Sequence, residues 1–347
     1  MSHKMEPFSS NTIVQKRVFT LPHLELESGE TLTDINIGYE CYGTLNEKKD
    51  NAVFIAHYFS GTSHAAGRYA ESDVEPGYWD TIIGSGKAID TDRFFVIAAD
   101  CIANLNTGNP QVVTTGPKSI NPKTGTAYGS SFPTVRLTDT VRAHYSLCRS
   151  LGIEKLHAVC GPSMGSMQAL EWAALFGDRV KRVFGAIGGG LAIEPYLISL
   201  LDQWVMPLRL NRDEGLVASL ELVTINALSP NWAHNMFKRR PFAITEALRE
   251  VARTRAAIAD ADSFLRLADA VRNFSVRENA KNISAKILWI PCRSDSLIFP
   301  EFAERGVAEM KALGLNVELE WLETDGGHLD GLSQLAQLAP TIRRFLE

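Results

Sequence analysis

Residues 156–176 read LHAVCGPSMGSMQALEWAALF, and this stretch decides the fold. It opens with a short, mostly apolar run of the kind seen in a buried strand and then turns through Gly-Pro-Ser-Met-Gly. After the turn, apolar side chains recur at helical spacing, at Met167, Leu170 and Ala174. The stretch therefore predicts a strand, a tight turn that carries Ser163, and a helix.

The turn has the spacing Gly-x-Ser-x-Gly, with Gly161 and Gly165 on either side of Ser163. Between a strand and a helix, this spacing is typical of the nucleophile elbow of α/β-hydrolases, which holds the serine on a strained backbone. We expect glycine at both flanking positions because a Cβ atom there would collide with the neighbouring strand or helix. A glycine-rich turn without a catalytic role is the alternative.

Length and composition limit the class of protein. The chain of 347 residues, 45% of them hydrophobic, suffices for one large domain or for one domain with an inserted second. Its net charge of −5, without a long basic or acidic block, does not favour nucleic acid or a membrane surface as a partner. Residues 1–10 lack the apolar run of a secretory signal, and no apolar segment could span a bilayer. We therefore expect a cytoplasmic protein.

Strand-like and helix-like patterns alternate at both ends of the chain, which is the order of an α/β protein. Residues 14–27 and 33–42 predict two antiparallel edge strands. Continuous apolar runs predict buried parallel strands at residues 52–56, 93–98, 156–160, 183–187, 287–291 and 317–322. Helical patterns occupy residues 134–151 and 332–345. The expected fold class is α/β, with the mostly parallel central sheet of an α/β-hydrolase flanked by helices.

No strand pattern occurs within residues 191–282. Helical patterns occur there instead, at residues 193–205, 213–228, 241–259 and 262–274. We predict a hydrolase core formed by residues 1–190 and 283–347 and a helical lid formed by residues 191–282. The basic residues of this lid could meet an anionic cofactor such as coenzyme A, but we favour a solvated helix face for Lys238, Arg239, Arg240, Arg249, Arg253 and Arg255.

Three residues follow the ends of predicted core strands in the order Ser163, Asp295, His328. This is the chain order of nucleophile, acid and base in α/β-hydrolases. Because a free serine hydroxyl is a poor nucleophile, His328 would accept its proton, and Asp295 would orient the imidazole ring. Asp325 and Asp330 are the rival acids, but they lie within the histidine's own loop and would struggle to reach around its ring.

The loop of residues 57–64, HYFSGTSH, follows a predicted central strand. In α/β-hydrolases this loop supplies one backbone N–H of the oxyanion hole, and the residue after the nucleophile supplies the other. Those donors would be Phe59 (or Tyr58) and Met164. His57 and His64 also suggest a metal site, but no carboxylate lies at ligand spacing, and the five cysteines lack Cys-x-x-Cys spacing. We expect no metal and no bound cofactor.

Several longer motifs resemble the homoserine O-acetyltransferase family of α/β-hydrolase-fold enzymes. They are GYECYGTLN at residues 38–46, the loop 57–64, GSGKAIDTD at residues 84–92, residues 115–133, and GPSMGSMQALEWA at residues 161–173. The resemblance implies acetyl transfer from acetyl-CoA to homoserine through an acyl-serine, and dimers that pair through lid helices. It implies Ser163 as the acyl carrier, His328 as the base, Asp295 as its orienter, and Phe59 and Met164 as oxyanion donors.

The sequence departs from that family where the acceptor would bind. Pro162 and Ser166 replace two glycines of the family's elbow, Ile258 replaces a lid arginine, and Leu329 replaces the aspartate that usually follows the histidine. An acyl-serine without an acceptor site reacts with water. We therefore expect an esterase that hydrolyses small, acetyl-type acyl esters. Acetyl transfer to L-homoserine is the alternative, and a binding protein on an inactive scaffold is a third hypothesis.

Overall fold

The computed structural model describes residues 13–347 except for the side chain of Asp213, so the expectation about residues 1–10 lies outside the described residues. The strands are β1 (Arg17–Glu25), β2 (Thr31–Tyr42), β3 (Ala52–Ala56), β4 (Ile83–Gly84), β5 (Ile89–Asp90), β6 (Phe95–Ala99), β7 (Ala158–Pro162), β8 (Arg182–Ala186), β9 (Lys286–Ile290) and β10 (Val317–Leu319). The α-helices are α1 (Leu137–Ser150), α2 (Met164–Phe176), α3 (Pro195–Leu210), α4 (Arg212–Ala227), α5 (Pro230–Phe237), α6 (Ala243–Ala256), α7 (Ala261–Arg272), α8 (Pro300–Ala312), α9 (Asp330–Ser333) and α10 (Ala339–Leu346).

Eight of these strands form one sheet in the order β1-β2-β6-β3-β7-β8-β9-β10. The pairs β1–β2 and β2–β6 are antiparallel. The other neighbouring strands of this sheet pair in parallel: β6–β3, β3–β7, β7–β8, β8–β9 and β9–β10. Every residue of β3, β6 and β7 is buried, as expected for parallel strands that are covered on both faces. The predicted mostly parallel sheet and its antiparallel edge are confirmed.

Alternate side chains of the central strands enter two separate cores. Phe54 and Ile97 belong to the larger core, which includes α1 and α2, whereas Val53, Ile55 and Val96 belong to the smaller one on the other face. This division follows from the two-residue period of a strand. The sheet is thus fixed from both sides, and its carboxyl edge can hold loops rigidly.

Five helices, α3 to α7, lie between β8 and β9, and we call them the lid helices. The sequence patterns missed α5, although Ser229 and Pro230 form a typical helix start. The Ser229 hydroxyl accepts a hydrogen bond from the Trp232 amide at 3.0 Å. The division of the chain into core and lid at residues 190 and 283 stays a prediction.

The closing helix predicted for residues 332–345 is wrong in its length. The chain forms the short α9, a 3₁₀ turn at Leu335–Leu338, and then α10. Proline at the start of α10 explains the break, because proline suits a first helical turn and cannot donate within a continuous helix. Within residues 13–347, none of the helices combines the length and apolar character that crossing a bilayer requires.

Candidate active site

Ser163 lies between β7 and α2 with φ 55° and ψ −120°, a backbone conformation that L-residues rarely adopt. Its amide donates to the Ala186 carbonyl of β8 at 2.9 Å. A Cβ atom on Gly161 would lie 2.5 Å from Gly165 backbone atoms, and one on Gly165 would lie 2.2 Å from the Ala56 carbonyl oxygen. Glycine is therefore required at both positions, because a side chain would clash with the backbone. The turn holds the serine side chain above the sheet edge.

The three side chains singled out from the sequence form one hydrogen-bonded chain. His328 Nε2 lies 2.8 Å from Ser163 Oγ, and His328 Nδ1 lies 2.7 Å from Asp295 Oδ2. Asp295 Oδ1 accepts the amides of Leu297 and Ile298, each at 2.9 Å. Because the carboxylate accepts the proton on Nδ1, Nε2 is left to accept the serine proton.

Strand topology explains why these residues meet. Asp295 follows β9 and His328 follows β10, and both strands run parallel to β8 and β7, so their carboxyl ends share one edge. The rival Asp330 is occupied elsewhere, since its Oδ2 accepts the Gly326 amide at 2.7 Å. The structure thus brings Asp295, and not Asp330, to the imidazole ring.

The two amides expected to form an oxyanion hole are available. Phe59 and Met164 both line the cavity at Ser163, and neither backbone N–H has an intramolecular hydrogen-bond partner within the described residues. Met164 is the first residue of α2, so its N–H also lies at the positive end of a helix dipole. These are the properties that stabilising an oxyanion requires.

The histidines of the loop 57–64 have structural partners. His57 is fully buried; its Nδ1 lies 2.7 Å from the Tyr58 carbonyl, and its Nε2 accepts the Cys101 amide at 2.9 Å. Burial lowers the pKa of His57, which keeps the ring neutral. His64 contacts Glu40 at 3.1 Å. Residues 13–347 contain no cluster of side chains suited to hold a metal ion.

A cavity of about 430 Å³ opens at Ser163 and His328. Its wall is mostly apolar and is contributed largely by the lid helices, including Leu201, Trp204 and Val223. Asn106 brings the loop that follows β6 into the wall. No described Asp or Glu lines the cavity.

Arg255 is the functional candidate that sequence reasoning missed. The other five members of the basic cluster are exposed, but Arg255 is only partly exposed and lines the cavity. Its assignment to the solvated helix face is therefore wrong. The helical period carried the signal, because Arg255 lies three residues after Ala252 on α6, and Ala252 is buried. Burial lowers the pKa of its guanidinium group.

No family model matches the chain. Among curated relatives, homoserine O-acetyltransferase of Geobacter sulfurreducens is 35% identical, and the match covers 93% of this chain and 94% of the relative. The chain belongs to the homoserine O-acetyltransferase family. A second relative of this name, from Symbiobacterium thermophilum, is 33% identical over 93% of this chain and 92% of its own length.

The solved structures similar to this chain include an esterase and a homoserine O-acetyltransferase. Esterase E22 is 41% identical with a TM-score of 0.93, and the match covers 96% of this chain and all of E22. Homoserine O-acetyltransferase from Bacillus anthracis is 33% identical with a TM-score of 0.91, covering 97% of this chain and 98% of that one. The predicted α/β-hydrolase fold and the predicted family are confirmed. The similar structures include both an esterase and an acetyltransferase.

Two of the four departures from the homoserine O-acetyltransferase motifs lie at this cavity. Leu329, in place of the usual aspartate, and Ile258, in place of the usual arginine, both line its wall. Asp330 does not substitute for the missing aspartate, because its carboxylate is bound to the Gly326 amide. Ser166, which replaces an elbow glycine, donates its hydroxyl to the Ser163 carbonyl at 2.6 Å and lies outside the cavity wall.

Proposed function

We propose that this protein is a serine esterase that hydrolyses small, acetyl-type acyl esters through an acyl-Ser163 intermediate. One observation carries the choice of water as the acceptor: the cavity beside Ser163 has no carboxylate in its described wall. An amino-acid acceptor such as homoserine carries an ammonium group, and a buried cation needs a paired charge or hydrogen-bond acceptors. The apolar wall suits a neutral ester better.

In the proposed first step, Ser163 Oγ attacks the ester carbonyl carbon while His328 Nε2 takes the hydroxyl proton. The carbonyl electrons move to the oxygen, which the amides of Phe59 and Met164 stabilise. Collapse of this intermediate breaks the bond to the alcohol, and His328 returns the proton to the leaving oxygen. Asp295 keeps the ring in the required tautomer and stabilises the imidazolium.

In the proposed second step, water takes the place of the alcohol. His328 removes a proton from the water as its oxygen attacks the acyl carbon, and the bond to Ser163 Oγ then breaks as the serine regains its proton. The products are a carboxylic acid and free enzyme. The proposed steps use only the residues of this chain and water. The partners we propose are small esters, and we propose a homodimer that pairs through the lid helices.

Acetyl transfer from acetyl-CoA to L-homoserine is the second candidate. Family membership favours it, and so does Arg255, a cation in the cavity wall that could face a substrate carboxylate. The two candidates share the acyl-enzyme and differ only in the molecule that accepts the acyl group.

Hydrolysis of p-nitrophenyl acetate and its longer-chain analogues tests the proposal. We expect turnover that is fastest for short chains, and labelling of Ser163 by a serine-directed phosphonate. A purified protein that hydrolyses no short-chain ester is not the proposed esterase. Failure of the phosphonate to label Ser163 would instead support the inactive-scaffold hypothesis.

A further inference from the structure

The turn that carries Phe59 is held from the lid side as well as from the sheet. Arg255 of α6 donates from Nη2 to Ser60 Oγ at 2.9 Å and from Nη1 to Thr224 Oγ1 at 2.7 Å. Thr224 lies on α4 and donates its own hydroxyl proton to the Leu220 carbonyl at 2.7 Å, so its oxygen is free to accept from the guanidinium. One side chain therefore joins two lid helices to the residue after Phe59.

The Phe59 side chain is enclosed by two further lid helices. Its ring packs edge-on against Phe264 of α7, with 5.1 Å between centroids, and against Trp204 of α3 at 6.0 Å. On the other side of the turn, Asn106 Nδ2 donates to the Ser60 carbonyl at 2.9 Å. The turn is therefore fixed by side chains from α3, α6 and α7 and by the loop after β6.

Charge distinguishes Arg255 from an ordinary structural arginine. Its two hydrogen-bond acceptors are neutral hydroxyls, and the described residues include no carboxylate within salt-bridge distance of it. A partly buried guanidinium without a paired carboxylate is a costly way to hold helices together. Two neutral side chains would do so at lower cost, which points to a role at the site.

We infer that Arg255 is a positioning residue that sets the Phe59 amide through Ser60, so that the oxyanion hole is complete only when the lid helices are in place. The inference rests on the proposed acyl-enzyme chemistry. It makes the lid part of the catalytic machinery as well as the wall of the cavity. A guanidinium group suits this role because its N–H donors are held rigidly in one plane, so it can donate to both hydroxyls at once.

The test compares Arg255→Met, Ser60→Ala and the double variant with Arg253→Met, an exposed arginine on the same helix. Two rates are measured: turnover of p-nitrophenyl acetate, which is neutral, and phosphonylation of Ser163. Loss of an oxyanion donor costs about a hundredfold to a thousandfold in kcat. A displaced donor should cost less, so we expect Arg255→Met to lower both rates about tenfold to a hundredfold while KM changes less than about threefold.

The remaining variants separate positioning from stability. We expect Ser60→Ala to lower both rates, the double variant to be no slower than Arg255→Met, and Arg253→Met to match the wild type. Thermal unfolding should show all four variants folded. Wild-type rates in Ser60→Ala would overturn the inference even if Arg255→Met failed to fold.

A different pattern would assign Arg255 to substrate binding. If Arg255→Met kept the wild-type kcat on the neutral ester and raised only KM for an ester that bears a carboxylate, the inference would be wrong and the esterase proposal would stand. Suppose that the wild type hydrolysed no ester, but that Ser163 was phosphonylated more slowly in Arg255→Met than in the wild type. The esterase proposal would then fail and the inference would hold.

Discussion

Leu329 and Asp330 are neighbours in sequence, yet only Leu329 reaches the cavity at His328. The leucine side chain lies in the cavity wall, whereas the carboxylate of Asp330 accepts the Gly326 amide at 2.7 Å. The family's usual aspartate would stand at position 329. With an apolar side chain there, the described cavity wall has no carboxylate that an acceptor ammonium could meet, which is why water is the acceptor we propose.

Leu329→Asp should move the reaction towards transfer. A carboxylate at the cavity mouth could bond an acceptor ammonium, and hydrogen bonds to charged groups contribute about 1.5–3 kcal/mol. We expect the ratio of acetyl transfer to hydrolysis with L-homoserine to rise at least about tenfold. Leu329→Asn, of similar size and without charge, is the control. Equal ratios in the two variants would mean that the missing charge does not decide the acceptor.

Ser163→Ala should abolish turnover. Since the three side chains act as a unit, the expected loss in kcat is roughly a million-fold. Ser166→Ala is the matched control, because it removes a nearby hydroxyl that donates to the Ser163 carbonyl and does not touch His328. Steady-state hydrolysis of a p-nitrophenyl ester measures both. A loss below about a hundredfold in Ser163→Ala would place the nucleophile elsewhere.

Glu171 should make stability depend on pH. Burial raises the pKa of this α2 carboxyl to about 7, above an ordinary value of 4.5, and its Oε1 accepts the Thr138 hydroxyl at 2.7 Å. Between these values the folded state binds more protons than the unfolded state, so stability falls as pH rises through this window.

Glu171→Gln should remove this dependence while keeping the bond from Thr138. From pH 5 to pH 8, we expect the free energy of unfolding of the wild type, measured in urea, to fall relative to that of the variant by on the order of 2 kcal/mol. Parallel curves for the two proteins would show that Glu171 is not the responsible group. Activity at a fixed pH should be unchanged, since Glu171 lies outside the cavity wall.

Phe242→Glu should separate the proposed dimer. Phe242 precedes α6 among the lid helices and is 93% exposed, and a homodimer that pairs through these helices would cover its ring. Val74→Glu, at a position outside the lid helices that is 83% exposed, is the control. We expect light scattering to show a wild-type dimer, a Phe242→Glu monomer, and a Val74→Glu dimer. A monomeric wild type would contradict the proposed pairing.

Structure was predicted most accurately from the sequence where the local backbone geometry accepts few residue types. Only glycine fits at 161 and 165, and a serine between two such glycines, after a strand and before a helix, is typical of the elbow. The elbow could therefore be placed from spacing alone. Asp295 and His328 could be predicted because parallel strands bring their carboxyl ends to one edge.

Features set by tertiary packing were harder to predict. The direction of Arg255 depends on how α6 lies against α4, and charge alone suggested a solvated face. The helix α5 is only eight residues long, which is shorter than the stretch of sequence over which a helical period is recognised. The break before α10 lies at a proline in the first turn of that helix. Apolar spacing alone continued through this proline and therefore predicted one helix.

The choice between water and homoserine as the acyl acceptor is the central claim. The most direct measurement mixes the protein with acetyl-CoA and L-homoserine, and separately with a short acetyl ester in water, and identifies the products by mass spectrometry, with Ser163→Ala as the blank. We predict acetate from the ester, dependent on Ser163, and no O-acetylhomoserine. O-acetylhomoserine formed by the wild type and absent with Ser163→Ala would contradict the account and identify an acetyltransferase.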